Sequence, residues 1–285
     1  MNRKEVLTIL DQYGYEAKKS LGQNFLCNDD VIGEILDLAQ LDKTMTCLEI
    51  GPGLGALSER AVLQAGKFLA VEIDTRFEDR LKKVIRDNGG EVIFMDYLSF
   101  SKQDLPDPSF DPQVILSNLP YYVMTPIMLK VLKDFPNCRK MIFMVEEEAL
   151  DRIFARPGTK QYGPLSVLTD LFGKKRKCLT VDSGSFYPSP KTTSAVIEIE
   201  AGTVSGMWDP AWIAFVESAF ALRRKTLVNS LSSGGEYSKD SILTALKEMK
   251  LNETVRSEQL LPQDLVRLYE ILHERKDKEL WHTNV

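Results

Sequence analysis

Two hydrophobic periods run along this chain, and the place where one gives way to the other divides it. Over residues 3–13 the apolar positions Val6, Leu7, Ile9 and Leu10 recur at helical spacing. A second helix is predicted over 28–40, with Asn28 as N-cap and Val31, Ile32, Ile35, Leu36 and Ala39 on its inner face. Short apolar runs then follow at 45–50, 68–73, 91–95, 113–117 and 139–145, and each reads as a buried strand. Between and after them, helices are predicted from Leu54 to about 65, over 75–87, from the cap-and-first-turn pair Thr125-Pro126, around 146–154 and near 164–172. Residues 97–112, rich in Pro, Asp and Ser, read as a surface loop. Two final strands are predicted at about 176–182 and 193–200. Alternation of this kind predicts an α/β fold with a mostly parallel sheet covered by helices.

Near Ala201-Gly202-Thr203-Val204-Ser205-Gly206 the chain turns small and polar. From Pro210 onward only helical periods remain, around 213–220, 239–249 and 262–275. The expected organisation is therefore an α/β domain over 1–203 and a small all-α domain over 204–285.

Composition narrows the function. Hydrophobic content of 44% and charged content of 27% are ordinary for a globular chain. No apolar run approaches the roughly 20 residues of a membrane span, and no signal-type core follows Met1. Cys27, Cys47, Cys138 and Cys178 form no C-x-x-C pair, so they read as reduced thiols of a cytoplasmic protein without a metal site. His273 and His282 are the only histidines and lie far from the glycine-rich stretch, which argues against a histidine base. A net charge of −5 does not advertise nucleic-acid binding. Against that acidic background stand Lys174-Lys175-Arg176-Lys177 and Arg223-Arg224-Lys225, with Lys191 near a second aromatic stretch. Such runs are either solvated surface or phosphate contacts.

Candidate chemistry gathers at the strand ends. Glu49-Ile50-Gly51-Pro52-Gly53-Leu54-Gly55 reads as strand, tight turn and helix, where Gly51 and Gly53 let the backbone approach a ligand and the helix start offers free N–H groups. Alone it suits an ordinary βα turn as well as a nucleoside cofactor. Glu72 follows Gly51 by 21 positions at the tip of the next strand, where an acid can accept from ribose hydroxyls. Asp96 ends the third strand and suits an exocyclic amine of adenine; Asn118 ends the fourth. In an open α/β sheet such tips face one crevice, although Glu72 or Asp96 singly could just cap a turn.

Asn118-Leu119-Pro120-Tyr121 is the most specific stretch. The nitrogen of an aromatic amine is a poor nucleophile because its lone pair is delocalised into the ring. The Asn118 oxygen and a Leu119 or Pro120 carbonyl can accept its two N–H bonds, localise that lone pair and direct in-line attack. Tyr121 can stack on the base, and Phe186 can form the opposite wall or belong to the core. A base must be unpaired or flipped out to enter.

These segments resemble the KsgA (RsmA) family of small-subunit ribosomal RNA adenine dimethyltransferases along nearly the whole chain. The resemblance is carried by Leu21-Gly22-Gln23-Asn24-Phe25-Leu26, the Glu49–Gly55 stretch, Asn118–Tyr121, Arg156-Pro157-Gly158-Thr159-Lys160-Gln161-Tyr162-Gly163, Phe186–Lys191 and Arg223–Leu227. It implies a Rossmann-like class I methyltransferase sheet with helices on both faces. It implies S-adenosylmethionine as donor and S-adenosylhomocysteine as product, held by Asn24, Leu26, Gly51, Glu72, Asp96 and Asn118. It further implies N6,N6-dimethylation of two adjacent adenines near the 3′ end of 16S rRNA in an assembling 30S subunit, by a monomer, with Tyr121 and Phe186 flanking the base. Tyr97, Tyr122 and Leu251-Asn252 depart from the common pattern at positions that bear on fine substrate preference and not on the reaction. Two alternatives share much of this sequence: methylation of a 23S rRNA adenine, and a non-catalytic RNA-binding assembly factor. A DNA adenine methylase is a weaker third.

Overall fold

A computed structural model describes residues 1–18, 21–118, 123–202 and 210–283, with side chains to Glu274 in the last helix. The chain divides into two compact units, one of Met1–Leu150 with Lys174–Ala201, the other of Asp151–Gly173 with Gly202–Val285.

The first unit is built on β2 (Thr46–Ile50), β3 (Lys67–Glu72), β4 (Glu91–Phe94), β5 (Val114–Asn118), β6 (Lys140–Glu146), β7 (Gly173–Val181) and β9 (Ser194–Ala201). Their order across the sheet is β4-β3-β2-β5-β6-β9-β7. β2 to β6 pair in parallel, and β9 runs antiparallel to β6. The strand order reverses between β2 and β5, where Ile50 pairs with Ser117. A doubly wound sheet opens its ligand crevice at this reversal, because the flanking connections leave in opposite directions. The parallel strands are near-continuous apolar runs since both faces are covered. Cys47, Phe68, Ala70, Val114, Leu116 and Ile142 join one core with Ile32, Ile35, Ala61 and Leu81. The alternate residues Leu48, Leu69, Ile115, Met141 and Phe143 point the other way and are equally buried.

Helix α1 (Arg3–Tyr13) begins with an Asn2/Glu5 capping box, and α2 (Asp29–Ala39) with the Asn28 side chain accepting from Asp30 and Val31 N–H. Other boundaries differ from expectation. Helix α3 (Ser58–Gln64) starts at Ser58 rather than Leu54, because Gly51, Gly53 and Gly55 hold φ of +71°, +57° and +84°, which no right-handed helix accommodates. The predicted 75–87 helix is a short α4 (Glu78–Val84) between two 3₁₀ turns. Helix α5 (Met124–Asp134) begins one residue before Thr125; Pro126 then sits in its first turn, where no N–H is needed. The 146–154 segment is a 3₁₀ turn followed by α6 (Leu150–Ile153). Two strands gave no periodic signal: β1 (Phe25–Leu26) and β8 (Phe186–Tyr187) pair antiparallel, Leu26 with Phe186. Tyr97 is buried against Phe100, ring centroids 5.5 Å apart, with its hydroxyl 3.4 Å from Asp134. Its ring thus belongs to the packing of the 97–112 loop.

The second unit holds α7 (Pro164–Phe172), α8 (Pro210–Phe220), α9 (Leu227–Ser233), α10 (Lys239–Glu248) and α11 (Pro262–Thr283). Helix α9, capped by Thr226, is an addition to the expected set. Residues 151–173, expected in the first domain, pack instead with the C-terminal helices. The buried Tyr162 hydroxyl donates to Leu260 O at 3.0 Å, and Gly158 N–H donates to Glu258 O at 2.6 Å. No helix among the described residues is long and apolar enough to cross a membrane.

Candidate active site

One cavity lies at the carboxyl ends of the central strands. Its walls include Leu21–Leu26, Glu49, Gly51, Gly53, Glu72, Asn118 and Phe186. Six of the seven residues expected to hold a cofactor (Asn24, Leu26, Gly51, Gly53, Glu72 and Asn118) therefore meet there.

The glycine turn makes the floor. A Cβ on Gly51 would face open space, whereas one on Gly53 would lie 3.5 Å from the Phe25 ring. Gly53 donates its N–H to Glu72 Oε2 at 2.9 Å, which ties the turn to the tip of β3. Glu72 also accepts from Asp74 N–H at 2.8 Å. Burial pushes the Glu72 carboxyl up, and these two N–H groups oppose that rise. Both bonds orient the carboxylate at the strand tip, where each oxygen has a second lone pair for a hydroxyl.

Asn118 sits across the strand reversal from Gly51. Its neighbour Ser117 donates to Ile50 O at 2.5 Å, and its own Nδ2 donates to Asn24 O at 3.3 Å. That bond fixes which end of the amide is nitrogen and leaves Oδ1 as the acceptor end. Phe186 is fully buried; it is at once core and cavity wall, held beside Leu26 by the β1–β8 pair and by Cys27 N–H on Ser185 O at 2.7 Å. Leu119, Pro120 and Tyr121 lie outside the described residues.

Asp96 is not among the lining residues, and its Oδ1 accepts from Leu98 N–H at 2.9 Å in a local turn. Glu49, outside the expected set of site residues, lines the cavity. Burial raises its carboxyl to about 7; Ser58 Oγ, donating at 2.5 Å, works against the rise and the charge of Glu72 adds to it. The available signal was an acid inside an otherwise apolar strand.

The basic residues divide by partner. Arg176 pairs with Glu198 and Lys177 with Glu147, while Lys174 and Lys191 are exposed. Arg223 donates to the Lys160 and Tyr162 carbonyls and so braces the 156–163 segment. Arg224 and Lys225 are exposed.

Strand order, a crevice at the reversal, an acid at the second tip and an amide at the fourth define a class I methyltransferase of Rossmann-like type. The family model of ribosomal RNA adenine dimethylase matches residues 14–274. A ribosomal RNA small subunit methyltransferase A of Lysinibacillus sphaericus is 35% identical over 278 residues, 93% of this chain and 94% of that protein. The crystal structure of a dimethyladenosine transferase from Plasmodium falciparum superposes with a TM-score of 0.68 at 24% identity, covering 86% of this chain and 95% of the other. That of the 23S rRNA methyltransferase ErmE gives 0.57 at 25%, covering 88% and 100%. The chain belongs to the ribosomal RNA adenine dimethylase family.

Proposed function

We propose that this enzyme transfers methyl groups from S-adenosylmethionine to N6 of two adjacent adenines near the 3′ end of 16S rRNA, in the assembling 30S subunit of the cytoplasm, acting as a monomer. One observation carries the reading: the Asn118 amide and the Gly51 turn border a single cavity with Glu72 and Phe186. The residues suit the donor. Glu72 presents an oriented carboxylate to a ribose, Gly51 leaves room for close approach, and Glu49 adds a second acid to the lining. When bound, the donor supplies a methyl group made electrophilic by its sulfonium.

The protein's part is to bind, orient and exclude water. Asn118 Oδ1 accepts one N–H of the adenine amine, and a main-chain carbonyl of Leu119 or Pro120 accepts the other. The amine loses conjugation with its ring and its lone pair turns towards the methyl. Tyr121 stacks on the base opposite Phe186. The surplus proton passes to solvent after transfer, so no histidine is required. The exposed cations Lys174, Lys191, Arg224 and Lys225 take phosphates, together with the helical unit, while Arg176, Lys177 and Arg223 contribute less because each already has a partner.

Labelled methyl transfer to 30S particles and to 23S rRNA tests this reading. Label in dimethyladenosine of 16S rRNA is expected; label confined to 23S rRNA would assign the other substrate, and none in either would leave an assembly factor.

A further inference from the structure

We propose that Asp74 and Arg76 form a latch that holds the Leu21–Leu26 segment against the cavity through Gln23, and that this latch sets the affinity for the donor. The inference rests on the reading that the cavity holds the donor. It assigns a positioning role to two residues that do not line that cavity.

The segment needs an anchor. Six consecutive residues, Leu21 to Leu26, form one wall of the cavity. Within it, the ladder is the two-residue pairing of β1 with β8, which is separate from the seven-stranded sheet. Two residue pairs of sheet give little resistance to opening. The segment is tied to the main sheet by side chains instead. Gln23 Nε2 donates to Asp74 Oδ2 at 2.8 Å, and Asn118 Nδ2 donates to Asn24 O. Gln23 Oε1 accepts from Lys18 N–H at 2.8 Å and faces Arg76 Nη2 at 3.5 Å. Both ends of the Gln23 amide are thereby engaged.

Asp74 is the fixed side of the latch. It is 4% exposed and takes three donors from Arg76, namely the backbone N–H at 3.2 Å, Nε at 2.9 Å and Nη2 at 2.6 Å, besides Gln23. Burial works to raise its carboxyl, but the bonds from Arg76 and Gln23 outweigh burial and bring it down to about 2. The anchor therefore stays ionised wherever the enzyme works. Arg76 reaches further back, from Nη1 to Glu16 O at 3.1 Å, and its guanidinium lies 5.7 Å from the Phe77 ring centre. Phe77 in turn packs edge-on to Phe25 and Tyr15, with centroids 5.8 and 5.2 Å apart. An exposed pair would hold a loop weakly, whereas removing the acceptor from a buried cluster strands its donors.

The latch also reaches the ribose acid. Asp74 N–H donates to Glu72 Oε1, so one short turn orients both the Glu72 carboxylate and the anchor of the opposite wall. Loosening the anchor lets the wall part from the floor. Donor affinity then falls, while the reacting groups around Asn118 keep their arrangement once the donor is saturating.

Titration calorimetry of the full-length enzyme with S-adenosylhomocysteine tests this. Asp74→Asn and Gln23→Glu are each expected to weaken binding about tenfold, since the first removes the carboxylate that accepts from Gln23 and the second sets a carboxylate against that of Asp74. The double variant exchanges carboxylate and amide across the same contact and is expected to recover to within about threefold of wild type. Turnover at saturating donor should stay within about twofold in Asp74→Asn, whose residue does not line the cavity. Gln23→Ala removes only the loop's half of the latch and carries the same expected loss should Asp74→Asn fail to fold. Unchanged affinity in the single variants, or a double variant no better than either, overturns the latch. Glu72→Ala separates the two levels: lost binding there with a silent Asp74→Asn removes the latch alone, whereas retained binding removes the donor assignment and the latch together.

Discussion

Glu49→Gln is expected to make the protein more stable at alkaline pH. The Glu49 carboxyl is 2% exposed, lies near Glu72 and titrates at about 7 in the folded chain, against 4.5 when free of it. The native state thus holds this proton more tightly than the unfolded chain does. The stabilisation that protonation gives is complete below 4.5 and is lost as pH rises through 7, because above 7 the fold contains a buried carboxylate. The full span from 4.5 to about 7 corresponds to roughly 3 kcal/mol, and about 2 kcal/mol of it falls between pH 5.5 and 8.5. Glutamine occupies the same volume, keeps an oxygen to accept from Ser58 and does not titrate. Urea unfolding of both proteins at pH 5.5 and 8.5 measures the difference, and Glu72, present in both, largely cancels. Wild type should lose about 2 kcal/mol more than Glu49→Gln over that interval. Parallel losses would show that Glu49 is ionised and well solvated, and the account of this end of the cavity would be wrong.

Three other perturbations probe separate parts of the molecule. Asn118→Ala should lower kcat about 10²-fold, since it removes an acceptor aimed at the reacting amine, and should also weaken donor binding measured by calorimetry, since it cuts the tie to Asn24 in the cavity wall. Tyr97→Phe deletes a long hydrogen bond to Asp134 and should cost no more than about 1 kcal/mol in urea unfolding, with KM for RNA unchanged; a shifted KM would return Tyr97 to the substrate site. Lys174→Gln and Lys191→Gln should each reduce the salt dependence of RNA affinity by about one ion, read from filter binding over a salt series. Lys177→Gln should do less, because Lys177 is paired with Glu147 at 2.5 Å.

Local order along the chain determined a good deal. Alternating apolar runs and helical stretches told of a layered α/β unit followed by helices, because burial on both faces of a parallel strand leaves an unbroken apolar run. The glycine turn, Glu72 and Asn118 were also legible, since a strand tip in such a sheet can face only one end. Tertiary structure decided what no neighbouring residues could. Leu26 and Phe186 are register partners separated by 160 positions, and nothing in either stretch has a period. The start of α3 at Ser58 follows from positive φ at three glycines, a backbone state that apolar spacing does not report. Asp96 and Glu72 are alike in sequence, two acids at two strand tips. Only the packed fold separates them, turning one carboxylate to the Leu98 N–H and the other into the cavity, because the surroundings of each strand tip are set by elements distant in sequence.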